Sequence, residues 1–253
     1  MEQSEAEVIA TKYEVDPELK AQREAQKLLA WQPDFSSFKL GVGHIAYEDD
    51  YMLIIDKPAG MLVHPTTVES GTTLYDYVQQ YYREKGITAD IHPVMRLDRN
   101  TSGLVIFAKE PIVQFWLSQQ NVHKEYLALC NGVFPADEGI VEAPIARDLS
   151  SIITRCVDFE RGKYAKTAYK VIGKYGAKSL VKLRLFTGRT HQIRVHMAYI
   201  GCPLVNDNLY GTPGPQARHA LHAYRLAFKH PVGDYPLEIT RALPTDLQML
   251  LKA

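Results

Sequence analysis

The stretch Val94–Glu110, VMRLDRNTSGLVIFAKE, sets one carboxylate, Asp98, between Arg96 and Arg99 and just ahead of an apolar run. Its second half, GLVIFAKE, is short and rich in branched and aromatic residues, which predicts a buried strand. Asp98 then falls in a loop whose far end is anchored in a rigid element while its side chain stays free to act. A tetrapeptide of the form R-x-D-R also reads as a salt-bridged surface turn, a common arrangement that contributes little. A single ionised carboxylate has more reactive uses: it accepts a proton, stabilises an oxocarbenium-like sugar or attacks an anomeric carbon. Sugar chemistry is therefore one reading of this loop.

Upstream, HIAYEDDYMLIIDKPAGMLVHP (44–65) gives two hydrophobic runs separated by EDD and followed by the turn dipeptides KP and AG. That pattern predicts strand, hairpin, strand and tight loop. TTLYDYVQQYYREKG places Leu74, Tyr77, Val78 and Tyr81 three and four apart and stops at Gly86, an amphipathic helix. Downstream, PIVQFWLSQQN is a helix with Pro111 in its first turn. KEYLALCNGVF, TAYKVIGKYG and SLVKLRLFTG alternate apolar and polar residues and carry Gly at their ends, as antiparallel strands with one wet face do. HQIRVHMAYIG reads as a helix, RHALHAYRLAFKHP as a closing strand, and LPTDLQMLLK as a last short helix with Thr245 or Asp246 near its cap. Strands in runs with helices between them predict an α+β fold with a mixed, mainly antiparallel sheet flanked by helices.

Residues 1–40 read as a charged, helical or partly disordered extension, and 41–253 as the folded domain proper. The chain has 253 residues, 46% hydrophobic and 23% charged, enough to bury a sizeable core. No stretch approaches the ~18 apolar residues of a membrane span. Cys130, Cys156 and Cys202 are far apart and form no CxxC, so neither a disulfide framework nor a zinc ribbon is indicated, and a reducing cytoplasm fits. Formal net charge is zero, yet Arg161 to Asn206 holds ten Lys or Arg and no acid, while the first 25 residues hold seven acids against three bases. Such an acid-free run either lines a path for a polyanion or keeps strand faces wet. His191 and His196 are five apart, off a common helix face, with no third ligand evident, and DKPAG lacks a P-loop lysine, so neither a metal site nor a nucleotide cradle is supported.

RLDRNTSGLVIFAKE resembles the signature loop of the RluA-type pseudouridine synthases, whose usual form is HRLDRDTSGLLLFAK. DKPAGMLVHP (56–65), GRTHQIRVHMAYIGCPLVNDNLYG (188–211) and HALHAYRLAFKHP (219–231) agree with the family in the same order, so the resemblance covers roughly residues 45–231. It implies the pseudouridine synthase fold, with an active-site cleft between two lobes. It also implies isomerisation of uridine in RNA without metal or nucleotide cofactor: uracil is detached, rotated and rejoined through C5. On this resemblance Asp98 is the catalytic residue, acting on the sugar at C1′ or C2′. Arg194 pairs with it, and Tyr126 stacks on the uracil. Arg96 is the candidate to fill the gap left by a flipped base, since a guanidinium both stacks and binds phosphate. Arg99, Arg189, His191 and His64 are expected against RNA. Met95 stands where many members have His, Asn100 where many have Asp, Cys202 where many have His, and VND (205–207) where many have LGD. The expected partner is structured RNA, either rRNA, tRNA or mRNA, and the expected state is a cytoplasmic monomer. An RNA-binding or RNA-folding protein on the same scaffold is the competing reading; a glycoside hydrolase lacks an obvious second carboxylate in these blocks.

Overall fold

The computed structural model describes residues 33–65, 72–120, 122–151, 153–214 and 218–252. The extension expected over 1–40 thus lies largely outside the described residues.

The EDD turn closes an antiparallel hairpin of β1 (Ile45–Glu48) and β2 (Met52–Lys57). Asp49 fixes that turn by accepting from the backbone N–H groups of Tyr51 and Met52. Helix α1 (Leu74–Lys85) follows, with Leu74, Tyr77 and Val78 buried as its spacing demands, while Tyr82 is buried and the expected Tyr81 only half-buried. Thr73 and Asp76 form a capping box at its start, and Gly86 ends it in the left-handed region. After the two-residue β3 (His92–Pro93), every residue of β4 (Ser102–Ala108) is buried. Helix α2 (Pro111–Gln119) then leads into β5 (His123–Asn131).

The second half adds β6 (Glu138–Glu142), the small hairpin of β7 (Ile145–Arg147) and β8 (Arg155–Val157), and the long strands β9 (Lys166–Tyr175) and β10 (Lys178–Leu185). Helix α3 (Gln192–Tyr199), β11 (Leu221–Lys229), β12 (Pro236–Thr240) and α4 (Thr245–Lys252) complete the described chain. Ten strands join one mixed sheet in the order β1-β2-β4-β11-β5-β10-β9-β6, with β3 added to β4 and β12 to β11. Every pairing is antiparallel except β4 with β11.

That parallel seam positions the site. It is only two residues long, Ser102 opposite His222 and Gly103 opposite Ala223, because each strand gives the rest of that edge to another partner. Gly103 is required there. Its φ is +114°, and a Cβ on it would lie 2.3 Å from the Ala223 carbonyl oxygen. The Asp98 loop feeds directly into this seam.

Helix α3 is buried over most of its length: Gln192 through Met197 are all buried, Arg194 and His196 among them. One expectation needs correction: the acid-free segment does not lie wholly along a polyanion path. On β9, Lys166 pairs with Glu142 at 3.0 Å, Lys170 with Glu138 at 2.9 Å and Lys174 with Asp137 at 3.2 Å. These lysines meet acids brought by the neighbouring β6 and its leading turn, a compensation that linear sequence hides.

Candidate active site

The Asp98 loop is held from several sides. Lys57, fully buried at the end of β2, donates to the carbonyls of Pro58, Met61 and Arg99, while the Gly60 N–H also donates to the Arg99 carbonyl at 2.8 Å. Burial, reinforced by the Arg218 charge, pushes the Lys57 pKa down to about 7. From the β11 side, Arg218 donates to the Asn100 carbonyl and to Ser102 Oγ, and the Thr101 hydroxyl bonds His219 Nε2 at 2.8 Å. His219 is buried among cations, and burial first, then Arg194 and Arg218, holds its pKa well below the usual imidazole value. The loop is thereby clamped between the end of β2 and the residues leading into β11.

Asp98 emerges from this clamp with 27% of its side chain exposed. Its ion-pair contacts come from α3 and its cap: Arg194 Nη1 lies 3.5 Å from Asp98 Oδ2, and His191 Nε2 lies 4.0 Å from the same oxygen. Arg194 is itself buried and held by Asp207, which is fully buried: Nε donates to Oδ2 at 2.8 Å and Nη2 to Oδ1 at 2.7 Å. Burial works against the Arg194 charge, but the bonds and charge of Asp207, with Asp98 adding, outweigh it and raise its pKa. Asp207 also accepts the N–H groups of Leu209 and Tyr210, so its carboxylate is fixed by backbone. The Arg194 guanidinium rests over the Tyr210 ring at 5.0 Å.

Asp98 opens onto a cleft of about 1240 Å³. Tyr126 lines its wall from β5, buried, with its phenol pKa raised by burial and by the Asp98 charge. Lys124, two residues earlier and on the same strand face, also lines the cleft, with its pKa lowered by burial. Arg96 and Arg189 line the rim with exposed side chains, and Arg99 and His64 complete the set. All eight residues singled out from sequence therefore converge on one cleft, drawn from the β2–α1 connection, the Asp98 loop, β5 and the start of α3. Asp98 thus meets an arginine 96 positions away in sequence.

Sequence reasoning missed Asp207 as the clamp on Arg194, Tyr210 beneath it, and the Lys57 and His219 supports. The acid in VND and the NLYG tyrosine stood in a matching block, but burial and the direction of a bidentate pair are tertiary facts. Among the described residues, no group of three or more His, Cys, Asp or Glu is placed to hold a metal ion, and no helix is long and apolar enough to cross a membrane.

The profile of a family described as RNA pseudouridylate synthase matches residues 51–199. The chain belongs to this family. It is 38% identical over 215 residues to the "Uncharacterized RNA pseudouridine synthase YhcT" of Bacillus subtilis (strain 168), covering 82% of this synthase and 71% of that protein. It is 39% identical over 223 residues to the "Ribosomal large subunit pseudouridine synthase D" of Nitrosomonas europaea, covering 83% of this chain and 64% of the relative. Among solved structures, "Human RNA Pseudouridylate Synthase Domain Containing 4" superposes with a TM-score of 0.68 at 22% identity, over 83% of the synthase and 92% of that chain. That likeness shows the α+β fold, while membership rests on the sequence matches.

Proposed function

We propose that this chain converts specific uridines of structured RNA to pseudouridine, with Asp98 as the catalytic residue. The observation that carries the reading is the Asp98–Arg194 contact of 3.5 Å inside a cleft walled by Tyr126. A carboxylate there meets ribose at C1′ or C2′. Arg194, fixed by Asp207, orients it, and Tyr126 lies against the uracil face. A uridine in a stem reaches such a cleft only when unstacked, so the target is flipped out, with Arg96 bracing the gap it leaves. Arg99, Arg189 and His64 bind the flanking RNA, giving an affinity that falls as salt rises. The Nitrosomonas relative is named for the large ribosomal subunit, which makes large-subunit rRNA the first substrate to offer, ahead of tRNA.

The test is tritium release from RNA carrying C5-tritiated uridine. The wild-type protein is expected to release tritium and Asp98→Asn to release none. Free uracil would instead mark a hydrolase, and an RNA mobility shift without tritium release would mark an RNA-binding protein on this scaffold.

A further inference from the structure

His191 stands out within the cleft on three counts that its expected RNA contact does not use. Its backbone is left-handed, with φ 57° and ψ 17° at the cap of α3, a conformation uncommon for a residue with a Cβ. Such a posture at a site is held by its surroundings and points to a purpose for the side chain. Its Nδ1 lies 2.7 Å from the Tyr210 hydroxyl, and its Nε2 faces Asp98 Oδ2 at 4.0 Å. Only 13% of the side chain is exposed.

The hydrogen bonds determine which nitrogen carries the proton. The Tyr210 hydroxyl accepts the backbone N–H of Arg155 at 2.8 Å. That amide has no choice of role, so the phenol oxygen is already an acceptor and its own hydrogen points elsewhere. At 2.7 Å, the Nδ1 of His191 is placed to accept it. Were Nδ1 protonated, the phenol oxygen would accept twice and its own hydrogen would lose this partner. Burial, with the Arg194 and Arg155 charges, lowers the His191 pKa against the opposing pull of Asp98, so the ring is neutral. A neutral ring that accepts at Nδ1 carries its hydrogen on Nε2. That N–H points toward the reacting carboxylate, yet 4.0 Å is too long for a hydrogen bond to it.

Resting on the synthase reading above, we infer that His191 Nε2–H donates to uracil O2 as the glycosidic bond breaks, and that Tyr210 is the positioning residue that fixes this tautomer. Whether Asp98 bonds to C1′ or takes the C2′ proton, the N1–C1′ bond breaks with its electron pair going to uracil. The charge spreads over N1 and the adjacent O2. Nothing is oxidised or reduced: C5 joins C1′ as the Asp98–C1′ bond breaks or the C2′ proton returns, the C5 proton leaves to solvent, and N1 takes up one proton from solvent. A donor beside the carboxylate that acts at C1′ is within one base substituent of O2. A neutral N–H gains most from an acceptor that becomes anionic, so its benefit falls on the transition state.

The test joins spectroscopy and single-turnover kinetics on the full chain. Long-range ¹H–¹⁵N spectra of wild type are expected to show the Nε2–H tautomer at His191, and Tyr210→Phe, which keeps the ring beneath Arg194, is expected to show tautomer exchange. His191→Leu is expected to slow pseudouridine formation about 10²-fold in single turnover at saturating RNA, as loss of one anion-stabilising donor does. His191→Gln, which retains an N–H at similar reach, recovers a large part of that rate. Tyr210→Phe lowers kcat about fivefold at unchanged KM, the kinetic equivalent of one neutral hydrogen bond. RNA with 2-thiouridine at the target weakens the acceptor: its rate penalty is expected in wild type and absent in His191→Leu, whereas a 2′-deoxy target is penalised equally in both. An Nδ1–H tautomer, an unchanged rate in His191→Leu, or equal thio penalties in an active protein overturns this inference alone. A folded wild type that forms no pseudouridine sinks the synthase reading, and the uracil contact with it.

Discussion

Asp98 and Asp207 both face Arg194, and exchanging each for asparagine separates a carboxylate built for chemistry from one built for the fold. Asp207 is fully buried, takes two guanidinium bonds of 2.8 and 2.7 Å and accepts two backbone N–H groups. In Asp207→Asn one of the two guanidinium donors faces an amide N–H, and Arg194 stays buried without its full counter-charge. Removing one partner of a buried pair costs about 3–5 kcal/mol, and two charge-assisted bonds at roughly 1.5–3 kcal/mol each give the same range. Asp98 is 27% exposed and makes one contact of 3.5 Å to a guanidinium that retains Asp207. Asp98→Asn therefore costs less than about 1 kcal/mol while abolishing turnover. Urea unfolding measures both: the Asp207→Asn midpoint falls by several kcal/mol's worth at constant m, and the Asp98→Asn midpoint scarcely moves. Equal losses from the two substitutions, or a stable Asp207→Asn, would refute the assignment of structural and chemical acids.

Gly103→Ala drives a Cβ into the Ala223 carbonyl at the β4–β11 seam in a backbone region hostile to side chains; a loss of about 2–4 kcal/mol is expected in the same urea assay. Acid should weaken the fold before carboxylates titrate. His222 is held neutral by burial, with the Arg218 charge adding, at a pKa of about 4. The unfolded chain binds that proton near pH 6.5, so the full stability stands above about pH 6.5 and drains by about 3 kcal/mol as pH falls toward 4. A series of urea midpoints across that window checks the slope, which His222→Gln should reduce by this group's share while the similarly depressed His219 keeps the remainder. Arg96→Gln and Arg189→Gln, at the exposed rim of the cleft, should each weaken RNA binding and reduce the slope of log K against log salt by about one. Filter binding from low to moderate salt measures it.

The strands read from alternation, β5, β9 and β10, the helix read from three-and-four spacing, α1, and the helix read from its N-terminal proline, α2, all formed because local pattern and tertiary burial agree there. Strands β6, β7, β8 and β12 escaped reading. They are short, and Glu138–Glu142 carries its apolar residues too sparsely to declare a face. Seven of the eight cleft residues were legible through matching blocks, and Tyr126 through its place in KEYLAL, with none of their mutual distances. What could not be read was compensation across the chain: acids of β6 and its leading turn neutralising β9, a buried lysine tying two loops together, and Asp207 gripping the arginine that Asp98 needs. Each is a pairing of residues whose types are ordinary and whose meeting is decided by topology.

The three nitrogens of Arg194 divide their work, Nε and Nη2 going to Asp207 and Nη1 to Asp98. An ammonium concentrates its charge at a single atom and has no flat fork to share, so lysine at this position would serve one acid by deserting the other. The planar, three-armed cation lets an immobile anchor and a working reagent be served at once, and that geometric economy explains why charge alone would not substitute for shape here.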